Sequence, residues 1–147
     1  MAEKENVISF KDVTYSYPGT ETPAIKNINL TIKEGEIILV TGPSGAGKTT
    51  LCSTLNRIVP EAYEGELSGE ICFRGENISK YSIGKMAFKA GMLFQDPSGQ
   101  LINPTVADEV AFGPENKGVP VKKIEELIDE YVAVSYTHLR AHETVLD

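Results

Sequence analysis

The sequence predicts an α/β fold in which a β-rich subdomain leads into part of a parallel sheet. Three observations predict it. Gly42-Pro43-Ser44-Gly45-Ala46-Gly47-Lys48-Thr49 fits the pattern G-x-x-x-x-G-K-[ST] at every fixed position. An apolar run at 36–41 precedes it and a helix-like stretch at 50–58 follows it, so the pattern sits between a strand and a helix. Two further β-like segments come before that strand.

Taken in order, residues 7–17 alternate apolar and polar in part and predict a first strand. Pro18-Gly19 and Thr20-Glu21-Thr22-Pro23 form a loop. Ile25, Ile28, Leu30 and Ile32 mark a second strand that ends at Lys33-Glu34-Gly35. Glu36-Ile37-Ile38-Leu39-Val40-Thr41 is continuously apolar at its centre and predicts a buried strand. Gly69-Glu70-Ile71-Cys72-Phe73-Arg74-Gly75 predicts another strand, with a turn at Gly75-Glu76-Asn77; Leu67-Ser68-Gly69 reads as the turn into it. Residues 90–95 read as a strand stopped by Asp96-Pro97-Ser98-Gly99. Thr105 is placed to cap a short helix through Asp108 and Glu109, closed by Gly113-Pro114. Pro120 opens a longer helix with Val121, Ile124, Leu127, Ile128, Tyr131 and Val134 on one face and Lys122, Lys123, Glu125, Glu126, Asp129 and Glu130 opposite.

Composition narrows the function classes. With 147 residues, 41% of them hydrophobic, the chain is large enough for one domain with a core. A net charge of −7 argues against a nucleic-acid partner held by general basicity. Cys52 and Cys72 lack metal-ligand spacing and read as reduced thiols of a cytosolic protein. The first six residues have no apolar leader core, and no run approaches spanning length, so any membrane link is expected to pass through a partner.

The chemistry of the glycine loop follows from its setting. Successive backbone N–H groups and the start of a helix make an anion cradle. Gly42, Pro43, Ser44, Gly45, Ala46, Gly47, Lys48, Thr49 and Thr50 are therefore the candidate nucleotide-binding residues. Lys48 reaches the β- and γ-phosphates and the Thr49 hydroxyl ligates Mg²⁺ in this kind of loop.

With these residues in place the chain resembles an ABC-type ATPase subunit over roughly residues 6–133. The fold this implies is part of a P-loop NTPase core with an antiparallel β subdomain at the nucleotide edge, and the implied ligands are ATP and Mg²⁺. Tyr17, in Tyr15-Ser16-Tyr17-Pro18, matches the aromatic that stacks on adenine, with Tyr15 the competing candidate. Stacking uses the π-face, so Tyr17→Phe is expected to be mild. Gln95 matches the family's Q-loop glutamine, a catalytic residue that touches Mg²⁺ and positions the attacking water. The segment from Gln95-Asp96-Pro97-Ser98-Gly99-Gln100-Leu101 to Phe112-Gly113-Pro114-Glu115-Asn116 is similar to the ATPases of energy-coupling-factor vitamin and metal-ion importers, as is Leu55-Asn56-Arg57-Ile58-Val59-Pro60. The resemblance implies ATP hydrolysis that energises a membrane importer. It also implies a head-to-tail pairing with a second ATPase subunit or domain, a transmembrane partner, and a place on the inner face of the cell membrane.

The sequence departs from that family in its later part. Leu67-Ser68-Gly69 continues with Glu70-Ile71 rather than as a signature motif, and it precedes Gln95. No apolar run longer than two residues ends in Asp-Glu, and no switch histidine can be placed; His138 and His142, four apart, make no complete metal site. The expectation is that residues 1–133 are the N-terminal part of an ATP-binding domain, inactive alone. Residues 134–147 are expected to be a non-native tail. Val134-Ser135-Tyr136-Thr137-His138-Leu139 is what GTC-TCT-TAT-ACA-CAT-CT encodes, a string resembling a transposon-end sequencing adapter. Two alternatives stay open at this point: a nucleotide-binding module without turnover, and another P-loop NTPase such as a small-molecule kinase.

Overall fold

The computed structural model describes residues 5–143, with side chains through residue 134. The chain divides into two units, Met1–Met92 and Leu93–Asp147.

The first unit is built on a four-stranded antiparallel sheet in the order β2-β1-β3-β4. The strands are β1 (Asn6–Ser16), β2 (Ile25–Lys33), β3 (Glu66–Phe73) and β4 (Glu76–Asn77). Central β1 pairs with β2 through Phe10↔Leu30 and with β3 through Phe10↔Ile71. Phe10, Val13 and Tyr15 enter the core, where they meet Ile25, Ile71 and Val59; Phe10 and Val13 are three apart, and the irregularity between them keeps both on that face. The register shifts on either side of Val13, and Asp12 and Asn27 take positive φ of 49° and 50°. Side chains close this irregularity: the Asp12 N–H donates to Asn29 Oδ1 at 3.0 Å and the Asn27 N–H donates to Thr14 Oγ1 at 2.9 Å. Asn and Asp tolerate this backbone region because their short polar side chains bond locally.

Helix α1 (Lys48–Leu55) follows the glycine loop, shorter than the 50–58 stretch suggests at its far end. It stops because Arg57 turns left-handed, φ 62°, before a short segment, α2 (Ile58–Glu61), that extended backbone at Val59 (φ −104°, ψ 127°) interrupts. Arg57 is buried; its Nε donates to the Tyr81 carbonyl at 3.1 Å and its Nη2 faces Glu61 at 3.4 Å. Glu61 in turn accepts the Ile83 N–H at 3.0 Å, at the start of helix α3 (Ile83–Ala87). One buried guanidinium thus ties the segment after α1 to the segment before α3. Ile78, Tyr81 and Met86 close the core on that side.

Three sequence expectations are corrected in this unit. Residues 36–41 form no strand, and the run is exposed rather than buried: Ile37 by 99% and Leu39 by 86%. Residues 90–95, which reach into the second unit, likewise form no strand, and Leu93 is 78% exposed. A strand is stable only when a neighbour takes up its N–H and C=O groups. Among the described residues neither segment belongs to a ladder, and every ladder present is antiparallel. Leu67-Ser68-Gly69 is not a turn but the beginning of β3, because Glu66, Leu67 and Ser68 pair with Ser16, Tyr15 and Thr14.

The second unit is a helical hairpin, α4 (Val106–Asn116) packed on α5 (Val121–Glu143). Thr105 caps α4 as expected, its Oγ1 accepting the Asp108 N–H at 3.1 Å. The helix runs past Gly113-Pro114 to Asn116; Pro114 leaves out one helical donor without ending the helix, and the stop comes at Gly118, φ 67°. Ala111 and Ile124 are buried here, with Leu127 and Ile128 half-buried. Val121, Tyr131 and Val134, assigned to the same apolar face, are exposed. The α5 backbone continues helically through the first part of the 134–147 tail, and residues 144–147 lie outside the described residues.

Candidate functional site

The glycine loop runs from Gly42 into the first turn of α1. Gly42, Gly45 and Gly47 all take positive φ, at 153°, 82° and 85°. Gly47 occupies the position before the helix in a left-handed conformation and makes no side-chain cap. Two pressures act on it at once. Its φ disfavours an L side chain, and a Cβ there would run into the Ala24 carbonyl and Ile25 Cγ2 at the start of β2. The loop is therefore pinned against the sheet at one end.

The first N–H groups of α1 have no intrahelical acceptors, and the helix dipole adds positive potential at the same place. Lys48 begins α1, and its Nζ folds back to donate to the carbonyls of Gly42 at 2.9 Å and Pro43 at 2.7 Å. An ammonium held inside the arc of its own loop neutralises carbonyl dipoles there, and an anion in that arc is the stronger partner. Ser44, Gly45 and Ala46 form the exposed rim, with the Ala46 N–H on the Pro43 carbonyl at 3.3 Å. The Thr49 side chain is exposed on the first turn, open to a cation bound beside a phosphate. The donor set and the bare glycine arc fit a polyphosphate and its Mg²⁺.

Thr50 points elsewhere. It is 7% exposed, and its Oγ1 lies 3.1 Å from Tyr17 Oη. Tyr17 follows directly on β1, half-buried, in T-shaped contact with the Tyr15 ring at 4.8 Å and the Tyr63 ring at 6.5 Å between centroids. Tyr15, the competing stacking candidate, is fully buried; its hydroxyl donates to the carbonyls of Tyr63 and Glu64 at 3.3 and 3.1 Å. Burial raises the Tyr15 phenol above its ordinary pKa, and Tyr17 beside it adds to the shift. The structure thus brings Tyr17 to the start of α1 and leaves Tyr15 as a core residue. Sequence reasoning missed the Thr50–Tyr17 link; no spacing signal joins residues 33 apart.

Gln95 belongs to the second unit and is exposed in a bend. Its loop is closed locally. The Phe94 N–H donates to Gln100 Oε1 at 2.9 Å, and Asp96 Oδ1 accepts the N–H groups of Ser98 and Gly99 at 3.1 and 3.3 Å. Downstream, one Glu109 carboxylate oxygen accepts from the backbone of Asn103 and Ile102 and from Asn103 Nδ2, at 3.0, 3.2 and 2.9 Å. Those bonds, the Asn103 backbone first, hold the Glu109 carboxyl below its ordinary range. The side chains of His138 and His142 lie outside the described residues. Among the described residues no three His, Cys, Asp or Glu side chains gather as a metal site, and no helix is long and apolar enough to cross a membrane.

Comparison with known proteins gives a consistent picture. The family described as ABC transporter matches residues 25–145. A protein of Methanosarcina mazei named as an ABC transporter ATP-binding protein is 38% identical over 141 residues, 95% of this chain and 24% of that protein. One from Pyrococcus horikoshii is 41% identical over 114 residues, 78% of this chain and 40% of the relative. Among solved structures, CbiO1 from Clostridium perfringens, described as part of the ABC transporter complex CbiONQ, superposes with a TM-score of 0.69 at 33% identity. That match covers 84% of this chain and 47% of the other. The chain therefore spans between about a quarter and a half of the length of these relatives.

Proposed function

We propose, on the premise that this chain belongs to the ABC transporter ATP-binding family, that it supplies the phosphate-gripping half of a transport ATPase. The observation that carries this is the glycine arc of 42–47 closing on Lys48 at the N-terminus of α1. Backbone N–H groups of the loop and the Lys48 ammonium bind the β- and γ-phosphates of ATP, Thr49 faces the metal, and Tyr17 receives the base. Mg²⁺, when bound, neutralises phosphate charge at this site. Gln95 is the residue we assign to positioning water and metal.

The whole protein, on this reading, hydrolyses ATP between two ATPase subunits or domains set head to tail. It drives a transmembrane partner from the inner face of the membrane. CbiO1 is described as part of a transporter complex, and that description favours an energy-coupling-factor importer over a binding module without turnover. The chain's own residues offer the grip without a placed catalytic carboxylate, so the 147-residue chain is expected to bind ATP with negligible turnover.

The test is binding of a fluorescent ATP analogue to the chain and to Lys48→Ala. Charge-assisted hydrogen bonds contribute about 1.5–3 kcal/mol each, so the variant should bind at least about tenfold more weakly. Equal affinities would overturn the assignment. We also assign residues 134–147 to a tail of foreign origin. Amplification of the locus from source DNA, primed upstream of Lys122, should diverge after Val134; a native gene encoding residues 135–147 would refute it.

A further inference from the structure

We propose that Thr50 is a positioning residue for the base platform: its hydroxyl holds the Tyr17 phenol, so the first turn of α1 sets the ring that receives the nucleotide base. The inference rests on the nucleotide reading given above and deepens it. In the sequence Thr50 counts as one more phosphate ligand. In the structure three consecutive residues divide the work. Lys48 turns back to the loop carbonyls, Thr49 stands in solvent, and Thr50 turns inward at 7% exposure to meet Tyr17 Oη at 3.1 Å. A rotation of about 100° per residue along the helix produces this division.

Tyr17 needs such a tether. It stands just past the end of β1, where the Thr20 N–H and Oγ1 donate to its carbonyl at 3.2 and 2.8 Å; these bonds hold its backbone and leave the ring to be oriented by its own contacts. Its ring is bounded by the rings of Tyr15 and Tyr63, each near perpendicular to it, at 83° and 81°. Tyr15 cannot yield, because it is fully buried with its hydroxyl on two carbonyls. Gly65 presses close behind: a Cβ there would stand 2.5 Å from Tyr15 Oη. The two ring contacts limit where the ring lies, and the Thr50 bond fixes its tilt. Base stacking and phosphate binding are then coupled through one hydroxyl, since the helix that grips phosphate also holds the ring.

The experiment compares binding of Mg-ATP and Mg-tripolyphosphate, which has no base, to the full chain and to T50V, T50S, Y17F and the double variant Y17F/T50V. A hydrogen bond contributes about 1 kcal/mol, so T50V should lower the ATP-to-tripolyphosphate affinity ratio about fivefold. Y17F should lower it as much, the double variant should add nothing further, and T50S should keep the wild-type ratio. This replaces the mild effect expected of Tyr17→Phe from ring stacking alone. If T50V weakens both ligands equally, Thr50 is a phosphate ligand or a merely structural residue, and the proposal is overturned. An unchanged ratio, or additive losses in the double variant, overturns it too. T50S and Y17F decide the matter even if T50V does not fold. Wild-type chain that binds tripolyphosphate but gains nothing from the base removes this proposal alone, whereas failure to bind either ligand removes the nucleotide reading with it.

Discussion

Two neighbouring segments of the first unit, 25–33 and 36–41, are both rich in aliphatic residues, yet only one becomes a strand. In β2 the apolar residues Ile28, Leu30 and Ile32 alternate with polar ones, and the strand returns antiparallel along β1. In 36–41 the aliphatic residues are continuous, and the segment lies exposed without a ladder. The difference shows what each pattern demands. Alternation suits one-sided burial, which a sequence neighbour provides through a short loop. A continuous apolar run suits a strand covered on both faces between parallel neighbours, and those lie far away along a chain. The pattern states the kind of partner a strand needs; the partner's backbone decides whether the strand forms.

The largest effect should separate these two segments directly. Tyr15→Ala empties the centre of the β1 core and should cost about 3–5 kcal/mol in urea unfolding. Leu39→Ala removes an exposed side chain and should stay within about 0.5 kcal/mol. A Leu39→Ala loss comparable to that of Tyr15→Ala would break the comparison, since it would mean that 36–41 is packed in solution. A smaller effect carries the contrast into the second unit, where local chemistry again suffices. Thr105→Ala removes the α4 cap and should cost about 1 kcal/mol, read as a lower thermal midpoint; Thr105→Ser should restore it. Smallest is a pH effect. Hydrogen bonds from Asn103 and Ile102 depress the Glu109 carboxyl, so its stabilisation is complete above the unfolded carboxylate value and is lost as pH falls through the depressed folded value. The N–H groups of Ile102 and Asn103 should resist hydrogen exchange near neutrality and lose that protection on acidification. Protection that Glu109→Ala leaves unchanged at neutral pH would show that the carboxylate does not hold the loop.

What could be read in advance follows the same division. The alternation of 7–17 gave β1, the fixed positions of the glycine loop gave the entry into α1, and Thr105 three residues before Asp108 gave a cap. Each depends on residues a few positions apart. The unladdered runs at 36–41 and 90–95 were misjudged because an apolar run reports a demand for burial and not its fulfilment. The extension of β3 back to Glu66 escaped notice because Leu67-Ser68-Gly69 looks like a turn until β1 is laid beside it. Arg57 and Thr50 escaped for a related reason. Arg57 looks like a surface residue and Thr50 like one more phosphate ligand until their partners, Tyr81 and Tyr17, arrive from distant parts of the chain.

Gly47 bears on how such sequences are judged for lost function. Its side-chain space is taken by the start of β2, so the fold itself demands glycine at this position whether or not a phosphate ever arrives. A descendant of this chain that had abandoned its ligand would be free to drift at Lys48 while selection for folding kept Gly47 in place. Of the two residues that anchor the motif, only the lysine therefore serves as a diagnostic of a living site, and a degenerate copy is recognised by a glycine retained beside a lysine lost.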